Sequence, residues 1–118
     1  MASEAAHLQK AESNQTFLET ISDQFADWLA IVAFYKAVHL VEAMFARDGD
    51  PSHSHVDRNR RLKQRHPEIW LQFRPLYDAS KWLRYTDRSI SPQRIREELV
   101  GKRLRTVESL IRSRLGLT

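Results

Sequence analysis

The sequence predicts an all-α fold, a single bundle of four to five helices spanning residues 1–118. Three observations carry that expectation. Three Gly and four Pro among 118 residues leave few interruptions, which argues against a strand-and-turn fold. Apolar residues recur at three- and four-residue spacing along four stretches. Residues that start or stop helices (Ser3, Asp48-Gly49-Asp50-Pro51, Ser54, Pro67, Ser91-Pro92) fall at the ends of those stretches. Length and composition fit one globular domain, with 42% hydrophobic and 29% charged residues. Three Trp, three Tyr and five Phe are enough to fill a small core.

The first element runs from Ser3 to Ser22, with Ser3 as its cap and Ala5, Leu8, Ala11, Phe17, Leu18 and Ile21 at roughly helical spacing. The polar run Glu12-Ser13-Asn14-Gln15 is expected to weaken or bend its middle. The second, about Asp23 to Arg47, is the strongest. Its apolar residues, from Phe25 and Trp28 through Phe34 to Met44 and Phe45, cover most of the circumference, which marks the central helix of a bundle. Asp23 is its expected cap, and Gly49 and Pro51 stop it. Ser52 or Ser54 then caps a short polar helix whose apolar anchors are Val56 and Leu62. Pro67 suits the first position of the next helix, about Glu68 to Tyr85, with Ile69, Phe73, Leu76, Ser80 and Leu83 along one stripe. Pro75 is expected to kink that helix or shift its start. The last helix, Gln93 to Leu115, turns Ile95, Leu99, Val107, Leu110 and Ile111 inward. Glu97 and Glu98 lie near its start and Arg112 and Arg114 near its end, as the helix dipole favours.

The absence of Cys excludes disulfides, thiolate catalysis and cysteine-ligated zinc, and suits a cytoplasmic protein. The N-terminal residues lack the order of a signal peptide, and no 18-residue apolar run is evident, so no membrane association is expected. A formal charge of +4 and a pI near 9.8 mildly favour a polyanionic partner such as RNA. No Gly-rich phosphate loop is present, and no cofactor is expected. No metal is expected either, because His39-x-x-Glu42 makes one half-site at best.

Ala11-Glu12, then Phe34-Tyr35-Lys36-Ala37-Val38-His39-Leu40-Val41-Glu42-Ala43, then Ser54-His55 beyond a Gly/Asp/Pro loop, carry a resemblance. It continues through Leu76-Tyr77-Asp78, Arg84-Tyr85 and Ser91-Pro92. In this order they resemble the HEPN superfamily over nearly the whole chain. The resemblance implies a compact, frequently homodimeric helical bundle, and a role either as an RNA-cleaving toxin or defence component or as a non-catalytic binding module. Nuclease members carry Arg, four to six residues, then His where the chain leaves the third long helix. At the matching place here, Arg84-Tyr85-Thr86-Asp87, no His follows. The spacing recurs at Arg61–His66, and can be read from Arg60, but Arg47 and His53 satisfy it too.

The sharper local pattern is Ser52 to Arg61. In a helix from about His55, the residues His55, Arg58 and Asn59 share one face. Imidazole beside guanidinium suits metal-free RNA cleavage: His takes the 2′-hydroxyl proton, and Arg holds the scissile phosphate. The candidate catalytic residues are therefore His55, Arg58, Arg61 and His66, with His55 or His66 as the base. Asn59, Arg60, Lys63 and Arg65 extend them as candidate RNA contacts in a basic run opposed by Asp57 alone. Tyr35, His39 and Glu42 fall on one side of the core helix and are expected to bond one another or the His55/Arg58 helix as a supporting polar network. Two functions stay open, beside a third, nucleotide binding without cleavage, that no Gly-rich phosphate loop supports. One is a homodimer that engages RNA and cleaves it without metal, leaving a 2′,3′-cyclic phosphate. The other is a non-catalytic module that docks a partner protein, an antitoxin or larger effector, through the same basic face or through Trp82.

Overall fold

The computed structural model describes residues 2–117 and is all-helical among them. Helix α1 is Glu4–Leu18, α2 Ala26–Arg47, α3 His55–Arg65 and α4 Pro67–Tyr85. A C-terminal helix follows, built without a break from the α-helical turn Pro92–Arg94, π-helical Ile95–Leu104 and α-helical Arg105–Arg114. Helix α2 is the centre: α1, α4 and the C-terminal helix pack on it, and α3 lies against α4. The described residues thus form an all-α, five-helix bundle.

Local chemistry sets the boundaries. Ser3 Oγ accepts the Ala6 N–H at 3.1 Å, Ser54 Oγ that of Asp57 at 3.0 Å, and Ser91 Oγ that of Arg94 at 3.2 Å. Pro67 occupies the first turn of α4, where its missing N–H costs nothing. Gly49 ends α2 with φ of 72°, a conformation that L side chains resist.

Several expectations change. Asp23 does not cap α2; it lies in a 3-10 turn, Asp23–Phe25, that leads into the helix. That turn swings Phe25 and Trp28 outward, 56% and 55% exposed, so the first turn of the core helix is not core. Phe17 and Val56 also face solvent, which leaves Leu62 as the apolar anchor of α3. The polar run Glu12–Gln15 does not interrupt α1, because Gln15 accepts a 2.7 Å bond from the buried Lys36. Helix α4 starts at Pro67 and runs on through Pro75. An 18-residue window within Asp23–Arg47 does reach a mean hydropathy of 1.6, but 83% of it is buried among the other helices.

The apolar interior runs from Ala11 and Leu18 of α1, through Phe34, Val41 and Phe45 of α2, to Phe73 and Leu76 of α4 and Ile95, Val107 and Ile111. Polar ties cross it. Lys36 donates to Glu108 at 3.0 Å as well as to Gln15, joining α1, α2 and the C-terminal helix. Arg47 donates to both Glu4 carboxylate oxygens at 2.7 Å and to the Leu115 carbonyl at 2.8 Å, closing the opposite end.

The π-helical winding follows from side-chain spacing. Leu99 and Leu104 are both buried five residues apart, a step that i→i+5 winding keeps on one face. It also brings the Arg96 carbonyl within 2.8 Å of where a Cβ on Gly101 would lie. In an ordinary helix Gly→Ala stabilises by about 1 kcal/mol. Here Gly101→Ala is expected to lower the thermal midpoint, because a backbone atom must move; a rise in scanning calorimetry would show that the segment relaxes to α-helix freely.

Candidate functional site

The site begins at the start of α3. Ser54 caps that helix, and the Asp57 carboxylate accepts the His53 N–H at 3.1 Å, a reciprocal lock on the first turn. The His53 amide, followed by Arg60, holds the Asp57 carboxyl below the usual carboxylate range. The helix therefore starts at a fixed residue, and His55 and Arg58 project together toward α2.

There they meet Glu42, which is buried on the core helix. Its carboxylate accepts Arg58 Nε at 3.0 Å and is also bonded by the Ser52 hydroxyl. Arg58, 9% exposed, then donates Nη1 to His55 Nδ1 at 2.8 Å. Guanidinium has no acceptor, so Nδ1 of His55 must be the unprotonated nitrogen and Nε2 carries the proton. Partial desolvation of the ring, then the charges of Arg58 and Arg84, push the His55 pKa below its usual 6.5. The lowered pKa favours the neutral ring at pH 7, and the residue is exposed to solvent.

Arg84, from the last turn of α4, completes the cluster. It donates Nε to the Ser80 carbonyl at 3.2 Å and Nη1 to the Tyr35 hydroxyl at 3.1 Å. The Phe34 ring is the hub beneath: His55, Tyr35 and Tyr77 have ring centroids 5.5–5.8 Å from it, and the Arg84 guanidinium carbon is 5.9 Å away. Three helices thus bring His55, Arg84, Tyr35 and Tyr77 together on one small surface, with the Glu42 carboxylate already engaged below. Such a surface suits an oxyanion, and a phosphate group above all.

The supporting trio divides differently from expectation. Glu42 bonds the α3 helix as predicted, but Tyr35 turns to Arg84, and His39 pairs with His7, Nδ1 to Nδ1 at 3.1 Å. One of those two nitrogens donates and the other accepts, so the contact requires at least one neutral ring. Desolvation and the neighbouring His7, Lys10 and Arg58 push His39 below 6.5, with Glu42 opposing them.

The distal half of the sequence-predicted site lies elsewhere. His66 ends α3, eleven residues from His55 and roughly 16 Å along the helix axis. Its ring packs against Phe45 and its Nδ1 is buried without a partner. Arg61 is buried over the Phe45 ring at 4.0 Å, donates to the Asp50 carbonyl, and pairs with Asp50 at 3.3 Å and Asp57 at 3.7 Å. The Arg61–His66 spacing therefore coincides with a packed helix end rather than with the His55 cluster. The basic run is also not opposed by Asp57 alone: Glu42 takes Arg58, and Asp50 takes Arg61 and approaches Arg65 at 3.8 Å. Arg60, Lys63 and Arg65 are the exposed cations of α3, with Arg60 paired to Asp57. Asn59 is half-buried, its Oδ1 enclosed without a partner.

The sequence reading missed Arg84, Tyr77 and Ser52 as site residues. No histidine follows Arg84 along the chain; the one near it, His55, comes from α3, and both rest on the Phe34 ring. Among the described residues no group of three or more His, Cys, Asp or Glu is arranged to hold a metal.

The Glu42–Arg58 pair is enclosed, so removing one partner leaves an uncompensated buried charge. Glu42→Ala is expected to cost about 3–5 kcal/mol in urea unfolding, and Glu42→Leu combined with Arg58→Met should recover most of it. A double variant no more stable than the single one would show that the ion pair contributes more than mutual neutralisation.

The imidazoles set the response to pH. His39, His55 and His66 are all held below 6.5, so the unfolded chain binds more protons than the folded one just below that value. Thermal stability should be level above about pH 6.5 and fall as acid carries the folded rings through their depressed values. In nitrogen-detected NMR, His55 should be the Nε2–H tautomer at pH 7, and Arg84→Gln should raise its pKa toward 6.5. A Nδ1–H form would contradict the Arg58 contact.

Comparison with protein-family models, with characterised proteins and with solved structures finds no match to this chain.

Proposed function

We propose that this chain is a HEPN-type domain that engages RNA by seating a backbone phosphate on the His55–Arg84 surface. The observation that carries the reading is the meeting of a neutral His55, its Nδ1 taken by Arg58, with the Arg84 guanidinium, which is anchored on the Tyr35 hydroxyl. A guanidinium beside an N–H donor, with the Glu42 carboxylate already engaged by Arg58 and Ser52, favours an anion over a neutral polar ligand. Arg60, Lys63 and Arg65, exposed further along α3, extend the positive surface and would add non-specific affinity for a polyanion.

The same geometry divides the labour if the RNA is cut. With its ring neutral and Nδ1 occupied by Arg58, His55 is placed to donate a hydrogen bond to an equatorial phosphate oxygen, rather than to give up a proton or take that of the 2′-hydroxyl. Arg84 would bear the charge that develops on phosphorus oxygens. Arg58 acts through His55, as a positioning residue. This surface supplies neither a base for the 2′-hydroxyl nor an acid for the leaving oxygen, so cleavage would need both from groups outside it, on the same chain or on a partner copy. Binding needs one copy only. A second reading, docking of a partner protein without RNA, is favoured by the exposed aromatic group Phe17, Phe25 and Trp28.

The test combines binding and cleavage on one mixed RNA pool in EDTA. Wild type should bind with an affinity that falls steeply as salt rises, and Arg84→Gln and His55→Ala should each weaken binding by about tenfold. His66→Ala should not. If cleavage occurs, it should leave 2′,3′-cyclic phosphate ends and disappear in both site variants. RNA affinity unchanged in Arg84→Gln, or none at low salt, would overturn the reading in favour of protein docking.

A further inference from the structure

A cavity of about 550 Å³ opens between α1 and the C-terminal helix, with Lys36 of α2 at its base, and it shares no lining residue with the His55 surface. Its volume lies within the range of small-molecule pockets. The wall on the C-terminal side is the π-wound stretch: Val100, Gly101 and Leu104 line the cavity, and Gly101 adds no side chain to fill it. Such winding is rare and frequently marks functional sites.

Charges of both signs line this cavity. Lys36, 3% exposed, donates to Gln15 at 2.7 Å and to Glu108 at 3.0 Å. An ammonium carries three N–H donors, and among the described residues the third meets no acceptor. Glu12 and Arg105 line the same cavity and are exposed, and among the described residues neither makes an ion pair. Two cations (Lys36, Arg105) and two anions (Glu12, Glu108) therefore share one cleft, and Glu12 and Arg105 stand too far apart to answer each other.

An occupant has to match that arrangement. A simple anion would answer Lys36 and Arg105 but face two carboxylates, and a simple cation would meet the reverse. A neutral apolar molecule would strip water from four charged groups and return nothing. What fits is a zwitterion. Its two charges must lie close together, because Lys36 Nζ and Glu108 Oε1 at the base are 3.0 Å apart. A carboxylate and an ammonium on one carbon are that close, and Val100 and Leu104 offer an apolar surface for a small side chain. Partial enclosure weakens screening by water and strengthens each contact.

We propose that this cavity binds a free α-amino acid, its carboxylate between Lys36 and Arg105 and its ammonium between Glu12 and Glu108. The site is separate from the RNA-backbone surface proposed above, and neither depends on the other. Lys36 then has two uses: it ties three helices together, and it turns its remaining N–H to the ligand.

The test is calorimetric titration of the intact chain at low salt with L-alanine, L-leucine, propionate and ethylamine. At least one of the amino acids should bind, with propionate and ethylamine each weaker by about tenfold or more. Arg105→Gln and Glu12→Gln should each weaken that amino acid by about tenfold, the size expected for one lost charge-assisted contact. His55→Ala should leave its affinity unchanged. Glu12, Arg105 and His55 are exposed, so folding should survive, and circular dichroism checks it. Absence of binding by both amino acids at millimolar concentration would overturn the proposal, as would propionate or ethylamine binding as tightly. Affinity unchanged in both Arg105→Gln and Glu12→Gln, or lost in His55→Ala, would place the amino acid elsewhere and equally overturn it.

Discussion

Glu42 sits on the innermost helix of the bundle, and the need to answer its carboxylate organises everything around the candidate site. A buried carboxylate without partners would cost several kcal/mol or take up a proton. Ser52 and Arg58 meet it from one side, and both belong to the segment after the sharp exit from α2. The loop is therefore drawn back onto the core and α3 is fixed in rotation, although Leu62 is its one fully buried apolar side chain. A polar tie does for α3 what hydrophobic area does for the other helices.

Fixing Arg58 in turn fixes His55. The guanidinium is shared between a carboxylate and an imidazole nitrogen, so one interaction sets the rotation of the helix, the tautomer of the histidine and the direction of its free N–H. Phe34 supplies the other constraint, a rigid apolar floor on which His55, Tyr35, Tyr77 and Arg84 rest from three helices. These groups lie within one small surface because the helices pack on one ring, not because they are near in sequence. Precision of this kind is what a site needs if an oxyanion is to be held in a defined place.

Most of the fold was legible in the sequence because its signals are local. Ser3, Ser54, Pro67, Ser91 and Gly49 act within one turn of themselves, and the stripe Ile69/Phe73/Leu76/Ser80 needs only helical periodicity. What escaped depended on packing. Phe25 and Trp28 look like core by composition, yet the 3-10 turn before α2 faces them outward. Leu104 escaped because an α-helical period does not reach it from Leu99; a π-wound segment does. At the site, the cluster around His55, Arg58 and Glu42 was visible as helix-face spacing, while Arg84 and Tyr77 were not, since nothing local ties α4 to α3.

The two histidines of α3 show why residue type and spacing could not choose between them. Arg61 and His66 reproduce the spacing of a linear motif, and Arg58 and His55 have the same chemistry at the other end of the helix. The difference lies in what each guanidinium leaves free. Arg61 is held by Asp50, Asp57 and the face of Phe45, with its Nε enclosed and unpartnered, and the His66 ring lies against the same phenylalanine, so that pair closes the junction between α3 and α4. Arg58 is equally enclosed, but it hands its last contact to a histidine that stays open to solvent and lies beside a second arginine. A buried arginine contributes to chemistry only when it orients an exposed group. On α3 that condition is met at His55 and not at His66, so the proposed reading uses the N-terminal end of the helix, against α2 and α4.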